Sequence, residues 1–308
     1  MNAPDHYPFR SAAARARFLE RYDRRAKSWP VAFESAMIAT AFGQTFVRVS
    51  GPAGAPPLVL LHGIGGSSLQ WAANVAGLSS GHRVFAVDHI SDHGRSVSAR
   101  LPRSVDEMTT WLDELFDGLG LGDGIALVGL SYGGWLASQY AQRFPHRLRK
   151  LVLLAPVFTV LPLSLTWILR AVLCVIPLRW FTRSFMFWLL ADLANAGEGG
   201  RRAVEEWAED SFVAMRSFVG RRAVNPTILT DEELRSLEVP TLFLVGENEK
   251  IYSAERALAR LHRVAPDIVT GMIPGAGHDL TVVAAEKMNE KLGAFLATPV
   301  VCSPSPSQ

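Results

Sequence analysis

The sequence predicts an α/β domain in which helices flank a mostly parallel central sheet, with a helical cap inserted between two of its strands. Two observations predict the sheet. Short apolar runs alternate with stretches that have the apolar spacing of amphipathic helices, as in parallel strands joined by crossover helices. The runs are apolar at nearly every position, which is expected when helices cover both faces of a sheet. A third observation predicts the cap, because the alternation lapses over residues 156–235, which are rich in aromatic residues and arginine.

The strand predictions begin with a hairpin over residues 35–50 that turns near Phe42 and Gly43. Buried strands follow it, before and after the cap. They are predicted at residues 58–61, 84–87, 125–128, 151–154, 241–245 and 268–273. All of these strands are expected to have helices over both faces, so each should be buried along its length.

Amphipathic spacing predicts helices between and after these strands. They cover residues 104–119, 132–144, 254–264 and 281–296. Ser104 is expected to be the N-cap of the first helix, with Glu107 placed to complete a capping box. We therefore divide the chain into a core, a cap and a tail. The core comprises residues 1–155 and 236–297, the cap residues 156–235, and a disordered, Pro-rich tail residues 298–308.

The composition limits the classes of partner and the compartment. The 308 residues, 49% hydrophobic and 19% charged, suffice for one large α/β domain with a cap. The net charge of +2 is too small to indicate nucleic acid as a partner. The two cysteines, Cys174 and Cys302, form no disulfide framework or metal-binding spacing, and the N-terminus has no apolar signal region. A cytoplasmic location is therefore expected.

Two segments bear on membranes and protein partners. Residues 151–169 contain no charged residue and approach the length of a membrane span, but Pro156 and Pro162 interrupt them. We therefore expect a buried strand that leads into an apolar cap, and no integral membrane segment. A contact of the cap with a membrane surface stays open as an alternative, and so does a homodimer. The basic residues 10–27 are expected to form a solvated surface helix, with a membrane- or partner-facing helix as the alternative.

One serine stands in a G-x-S-x-G motif, which here is Gly129-Leu130-Ser131-Tyr132-Gly133. The motif lies where a predicted strand ends and a predicted helix begins. This is the context of a nucleophile elbow, a sharp turn that exposes a serine and needs small flanking residues. A glycine-rich turn without chemistry is the alternative, and the apolar strand before it favours the nucleophile. Ser131 is therefore the candidate nucleophile.

A glycine-rich loop, His62-Gly63-Ile64-Gly65-Gly66, follows another predicted strand. Acyl transfer needs two backbone N–H donors directed at the oxyanion that develops on the substrate. One donor is expected from Tyr132, the residue after the serine, and the other from Ile64. A phosphate-binding loop is the alternative. However, no Lys-Ser/Thr pair follows these glycines and no G-x-G-x-x-G pattern opens a helix here, so phosphate is not favoured.

The candidate general base is His278, in the run Gly275-Ala276-Gly277-His278-Asp279. This run follows the last predicted strand, from which a loop can reach over the sheet edge to Ser131. The chain order of serine, acid and histidine is also the order that this type of nucleophile elbow uses.

The other histidines fit a catalytic role less well. His62 is expected to have a structural role in its loop, and His82 and His146 lie in polar, loop-like contexts. His89 and His93 are four residues apart beside two aspartates, which suggests a metal site. No further ligand is evident near them, so we predict no metal.

The candidate acid follows the predicted strand at residues 241–245, where two glutamates are available. Glu249 extends further into the loop than Glu247, so we favour Glu249 and keep Glu247 as the alternative. The acid would fix the tautomer of the imidazole and stabilise the imidazolium. Asp279 is too close to His278 in the chain to fold back onto its ring.

The motifs HGIGGSS, VDHISDHGRS, GLSYGG, LVGENEKIY and GAGHDL occur in the order and spacing of the α/β-hydrolase carboxylesterases. In detail the chain resembles the bacterial group of these enzymes that includes the naproxen-ester hydrolases, and the resemblance extends to the stretch ESAMIATAFGQTFVRVSGP. It implies an α/β-hydrolase fold with a helical cap. It also implies that Ser131, His278 and Glu249 form a catalytic triad, and that Ile64 and Tyr132 form the oxyanion hole.

We therefore expect a serine carboxylesterase that needs neither a cofactor nor a metal. The aromatic cap favours small-molecule esters with hydrophobic acyl or aryl groups, and Trp167, Phe185 and Trp188 are the candidate pocket residues. A serine-dependent C–C bond hydrolase and an amidase are alternatives, because the same triad serves them. A receptor-like protein without catalysis would require a broken triad.

Overall fold

Nine strands, twelve α-helices and two short 3-10 helices (Ser68–Trp71 and Pro145–Arg147) form the regular structure of the described residues. The computed structural model describes residues 6–219 and 224–299. The strands are β1 (Glu34–Thr40), β2 (Gly43–Ser50), β3 (Pro57–Leu61), β4 (Arg83–Val87), β5 (Val97–Ser98), β6 (Ile125–Leu130), β7 (Leu148–Leu154), β8 (Thr241–Gly246) and β9 (Val269–Ile273). The helices are α1 (Ala12–Ala26), α2 (Val75–Ser79), α3 (Val105–Gly118), α4 (Tyr132–Arg143), α5 (Leu165–Leu173), α6 (Arg179–Leu189), α7 (Ala191–Asn195), α8 (Glu198–Ser217), α9 (Asp231–Arg235), α10 (Ala254–Val264), α11 (Leu280–Val283) and α12 (Ala285–Ala297).

All nine strands lie in one sheet. Its order is β1-β2-β4-β3-β6-β7-β8-β9, and β5 adds a short antiparallel pairing to β2. The strands from β4 to β9 along this order are parallel, whereas β2 runs antiparallel to both β1 and β4. The parallel strands end at one edge, so the loops that follow β3, β6, β8 and β9 meet there. The predicted α/β fold with a mostly parallel sheet is confirmed.

The predicted hairpin and strands correspond to β1–β4 and β6–β9, with small differences at the ends. The sequence did not predict β5, which is only two residues long. The prediction that the last strand is buried along its length is wrong. β9 is the edge strand, with β8 as its one neighbour, and Val269 is 53% exposed.

Two helix predictions need correction. The predicted helix 281–296 is interrupted at Ala284, whose φ of −124° and ψ of 33° are not helical. The side-chain amide of Asn74 donates to the Thr281 carbonyl (2.9 Å). In a continuous helix this carbonyl would accept from the backbone N–H four residues later. At the start of α3, Ser104 accepts from the Glu107 N–H as expected, but the Glu107 carboxylate accepts from Arg103 N–H instead of closing a capping box.

Helices α5 to α9 lie between β7 and β8 in the chain, within the segment 156–235 for which the cap stays a prediction. Ion pairs join α6 to α8, from Arg183 to Glu205 and from Arg179 to Glu209. Helix α1 also packs on α8 through ion pairs of its arginines with Asp210. The basic N-terminal segment is thus a surface helix bound to a cap helix. No helix in the described ranges is both long and apolar enough to cross a membrane.

The predicted tail begins at Thr298, whose hydroxyl contacts the ammonium group of Lys150 at 2.6 Å. The rest of that tail, residues 300–308, lies outside the described residues.

The junction of β6 and α4 requires a close approach between backbone segments of the core. A Cβ added at Gly133, in the first turn of α4, would lie 2.3 Å from the carbonyl oxygen of Leu61 at the end of β3. Both groups belong to the backbone of packed elements, so neither can move without displacing the sheet or the helix.

We expect Gly133→Ala to lower the free energy of unfolding by about 3 kcal/mol or more, because the new methyl group overpacks against backbone. Gly293→Ala is the matched control, since Gly293 lies in α12 with open space around its Cβ position. This second change should raise stability by up to about 1 kcal/mol through helix propensity. Urea unfolding of both variants measures the difference, and equal stabilities would contradict the close approach.

Candidate active site

Ser131 forms the turn between β6 and α4. Its φ of 53° and ψ of −114° lie in a region that residues with a side chain rarely adopt, as a nucleophile elbow requires. The backbone on the β7 side holds this conformation. The Ser131 N–H donates to the Leu154 carbonyl (2.9 Å), and the Ser131 carbonyl accepts from Val157 N–H (3.1 Å). The serine side chain lies at the carboxyl edge of the sheet, and the residue is only 6% exposed.

The loop after β3 lies directly against the serine. A Cβ added at Gly63 would be 3.3 Å from the Cβ of Ser131. This loop carries Ile64, and Tyr132 opens α4 on the other side of the serine. The first N–H groups of a helix have no acceptor within that helix, so the Tyr132 N–H can serve an external acceptor. The two predicted oxyanion donors therefore belong to segments that both adjoin Ser131.

Buried polar groups fix the shape of this loop. The Gly63 N–H donates to Gln70 Oε1 (2.8 Å), and the Gly65 N–H donates to Asp92 Oδ2 (2.9 Å). His62 uses both ring nitrogens: Nε2 accepts from His89 N–H (3.1 Å), so Nδ1 carries the proton and donates to the Gly63 carbonyl (2.8 Å). The structural role expected of His62 is therefore to clamp the loop.

The metal alternative involves part of the same network. Ligand atoms of His62, His89 and Asp92 lie within 4.8 Å of one another, and all three residues are buried. However, His62 Nε2 is already occupied by a backbone N–H, and the two Asp92 oxygens accept from Gly65 N–H and His93 N–H. These hydrogen bonds show that the cluster of His62, His89 and Asp92 supports the loop after β3. His93, the other histidine of the predicted pair, is not part of it.

His278 and Glu249 form a buried pair. His278 follows β9, Glu249 follows β8, and Nδ1 of the imidazole lies 3.1 Å from each carboxylate oxygen. The Glu249 side chain is fully buried, and its Oε1 also accepts from Lys250 N–H (2.8 Å) and Ile251 N–H (3.0 Å). Because Nδ1 faces the carboxylate, it carries the proton, and Nε2 is the nitrogen left for a reaction.

The electrostatic surroundings favour the protonated form of His278. Burial alone would lower the pKa of its imidazole, but the charge and hydrogen bond of Glu249, followed by the charge of Asp279, raise this pKa above the ordinary value of 6.5. An imidazolium formed during a reaction would therefore be stabilised at this position.

The structure distinguishes the two glutamates. Glu247 Oε2 accepts from Gly275 N–H (2.9 Å) on the exposed side of the loop, whereas Glu249 points inward to His278. Asp279 does not fold back onto the imidazole. Its oxygens accept from Gly277 N–H (3.1 Å) and from Leu193 N–H in α7 (2.8 Å).

Ser131 and His278 lie at the same edge of the sheet, but no hydrogen bond within the described residues joins Ser131 Oγ to the imidazole. Catalytic hydrogen bonds are commonly long or poorly aligned before substrate binds, so this spacing is compatible with a nucleophile and its base.

The three candidate pocket residues form one aromatic cluster in the cap. The rings of Trp167 and Phe185 are 6.0 Å apart, and those of Phe185 and Trp188 are 6.3 Å apart. Trp167 also packs against the main hydrophobic core, and the Arg170 guanidinium lies 5.2 Å from the Trp188 ring centre.

Sequence reasoning missed the contacts that hold α7 on the catalytic edge. Besides the bond from Leu193 to Asp279, the side-chain amide of Asn248 donates to Asp192 Oδ1 (2.9 Å). Asn248 precedes the candidate acid and Asp279 follows the candidate base. Their position next to these two residues is the only sequence signal of this role.

Comparisons with known proteins agree with this geometry. A family model described as "Alpha/beta hydrolase family" matches residues 58–291. The chain is 34% identical over 296 residues to "Uncharacterized carboxylesterase nap" of Bacillus subtilis (strain 168), covering 91% of this chain and 92% of that protein. It is 30% identical over 295 residues to "Carboxylesterase YbfK" of the same strain, covering 95% and 97%.

A solved structure shows the same architecture over almost the whole chain. The crystal structure of naproxen esterase (carboxylesterase NP) from Bacillus subtilis matches with a TM-score of 0.84 and 32% identity, covering 96% of this chain and 99% of that one. The resemblance drawn from the motifs is thereby confirmed. The chain belongs to the alpha/beta hydrolase family.

Proposed function

We propose that the protein is a serine carboxylesterase, in which Ser131 is the nucleophile, His278 the base and Glu249 the acid. The observation that carries the proposal is the buried His278–Glu249 pair at the sheet edge where the strained turn presents Ser131. The relatives described as carboxylesterases support it, because they match 91% and 95% of the chain at 34% and 30% identity.

In the proposed reaction, Ser131 Oγ attacks the ester carbonyl carbon while His278 Nε2 takes the hydroxyl proton. The N–H groups of Ile64 and Tyr132 stabilise the oxyanion of the tetrahedral intermediate. His278 then gives its proton to the leaving alkoxide, which departs as an alcohol and leaves an acyl-enzyme. Water attacks this ester with His278 as the base, and Ser131 recovers the proton as the carboxylic acid leaves. No step requires a metal or an organic cofactor.

Glu249 is proposed to act through the imidazole. Its carboxylate is held by two backbone N–H groups and in turn holds the proton on Nδ1 of His278. The tautomer that this requires leaves a lone pair on Nε2 for the serine proton. Glutamate has one methylene more than aspartate, and the inward turn of the loop at residues 249–251 accommodates it.

The cap is proposed to comprise residues 156–235, with Trp167, Phe185 and Trp188 lining the pocket over the edge of the sheet. An aromatic, largely apolar lining favours small-molecule esters with hydrophobic acyl or aryl groups. The name of the solved relative, naproxen esterase, describes an ester of this kind for that protein. The cytoplasmic location and the homodimer stay predictions.

We expect Ser131→Ala to reduce kcat for p-nitrophenyl butyrate by roughly a millionfold, because the nucleophile and its partners act as a unit. The Ser131→Ala protein should also fail to react with a fluorophosphonate probe. Ser80→Ala, at an exposed serine, is the control and should keep full activity. Retained hydrolysis in the Ser131 variant would exclude the assignment, and faster turnover of an amide or a vinylogous diketone than of an ester would change the reaction class.

We expect Glu249→Gln to reduce kcat/KM by roughly 10³–10⁴-fold, because the imidazole loses the partner that fixes its tautomer. Glu247→Gln is the matched control on the same loop and should retain activity, since Glu247 bonds only to the Gly275 backbone among the described contacts.

The pH profile of these variants tests the electrostatic argument. His278 must be neutral to accept the serine proton, so kcat/KM should rise with pH through an apparent pKa above 6.5 in the unmodified protein. Removing the Glu249 charge lowers this pKa, so the rise should move to lower pH in Glu249→Gln and stay in place in Glu247→Gln. If Glu247→Gln lost more activity than Glu249→Gln, Glu247 would be the acid.

A further inference from the structure

Exposed apolar side chains are concentrated on one segment of the cap. Nine of the sixteen large hydrophobic residues that are exposed in the described ranges lie between residues 165 and 180. Isolated exposed hydrophobic residues are ordinary, but a continuous group marks a contact with something other than water. The group, here called the cap apex, consists of Leu165, Ile168, Leu169, Val172, Leu173, Val175, Ile176, Leu178 and Trp180.

The cap apex has a regular helical basis. Leu165, Ile168, Leu169 and Val172 follow the i, i+3, i+4, i+7 spacing, so they form one face of α5. The other side of this helix is apolar as well, since Trp167 packs against the core. No residue of α5 is fully buried. Within the described residues, no other element therefore covers the outward face of α5.

The turn after α5 extends the same surface. Val175 is 81% exposed and Trp180, in the first turn of α6, is 66% exposed. The Arg216 guanidinium donates to the Ile176 carbonyl (2.8 Å) and so fixes the turn on α8. The apolar side chains at this turn are thus held outward by a defined backbone.

The segment that carries the cap apex contains arginines but no acidic residue. From residue 151 to residue 191 the chain contains no aspartate or glutamate, whereas Arg170, Arg179 and Arg183 lie in this interval. Arg179 and Arg183 pair with glutamates of α8. Arg170 and Arg216 contact neutral groups, the Ser184 hydroxyl and the Ile176 carbonyl, and add positive charge to the margin of the apolar surface.

We propose that the cap apex rests on the surface of an anionic phospholipid bilayer. Apolar side chains on one face, an exposed tryptophan, and arginines in a segment that itself has no acidic residue are the features of a segment that lies in the membrane interface. Two copies of the chain paired through this face by a two-fold axis would instead bring arginines of like charge together. Charge complementarity therefore favours the lipid surface over self-association.

The cap apex is joined to the candidate active site through the start of α5. The Ser164 N–H donates to the Ile251 carbonyl (2.8 Å), and the Ser164 hydroxyl donates to the Lys250 carbonyl (3.0 Å). These carbonyls directly follow Glu249. Given the proposed esterase function, on which this step rests, the substrates would include water-insoluble esters that partition into the bilayer.

Flotation of the purified full chain with vesicles tests the proposal. We expect the protein to float with vesicles of phosphatidylcholine and phosphatidylglycerol, and less with phosphatidylcholine alone. Val175→Glu should lower the partition coefficient by about tenfold or more, because the variant loses an inserted side chain and adds a repelled charge. Val269→Glu is the matched control, since Val269 is an exposed valine of β9 and not a residue of the cap apex. The Val269→Glu protein should bind vesicles like the unmodified protein.

Ser131→Ala separates this proposal from the esterase assignment. The Ser131 variant should float like the unmodified protein, and Val175→Glu should still hydrolyse the soluble ester p-nitrophenyl butyrate. Failure of the unmodified chain to float, or equal flotation of Val175→Glu, overturns the lipid contact whatever the activity shows. The alternative result in light scattering is a dimer for the unmodified protein and a monomer for Val175→Glu, without vesicle binding by either. This result would identify the cap apex as a self-association surface and would also overturn the lipid contact.

Discussion

The turn at Ser131 constrains the rest of the catalytic edge. A residue with positive φ at the end of β6 brings the first turn of α4 against the end of β3, and the approach leaves room only for hydrogen at Gly133. The same crossing sets the loop after β3 against the serine, so that one backbone conformation positions both the candidate nucleophile and the loop for the oxyanion. The buried groups around His62, Asp92 and Gln70 then keep that loop in place through its own N–H groups and carbonyls.

The candidate base and acid depend on a different part of the fold. Both lie in loops that follow the last two strands, and β9 forms the edge of the sheet as far as the chain is described. Hydrogen bonds outside the sheet hold them in place. Backbone N–H groups hold Glu249, and helix α7 bonds to Asp279 and Asn248. The turn between β6 and α4 thus positions the candidate nucleophile, whereas hydrogen bonds of the loops and of α7 position the candidate base and acid.

The local features of this site could be predicted from the sequence, and the non-local ones could not. Ser131 and the loop at His62–Gly66 are recognisable because strand, glycines and helix are contiguous in the chain. The choice between Glu247 and Glu249 depends on which way a loop turns, which no periodicity encodes. The Asn74 amide that donates to the Thr281 carbonyl, beside the break at Ala284, is distant in the chain, and the bond from Leu193 joins a residue 86 positions away. The exposure of β9 follows from its place in the strand order, which composition alone does not reveal.

The bonds from α7 have a consequence for the candidate base and acid. Any outward movement of α7 must break its bonds to Asp279 and Asn248, and these residues adjoin the base and the acid. Helix α7 therefore cannot move away without loosening contacts of the residues next to the imidazole and the carboxylate. The position of α7 and the order of the imidazole–carboxylate pair are thereby coupled, so that a change at one of them is transmitted to the other.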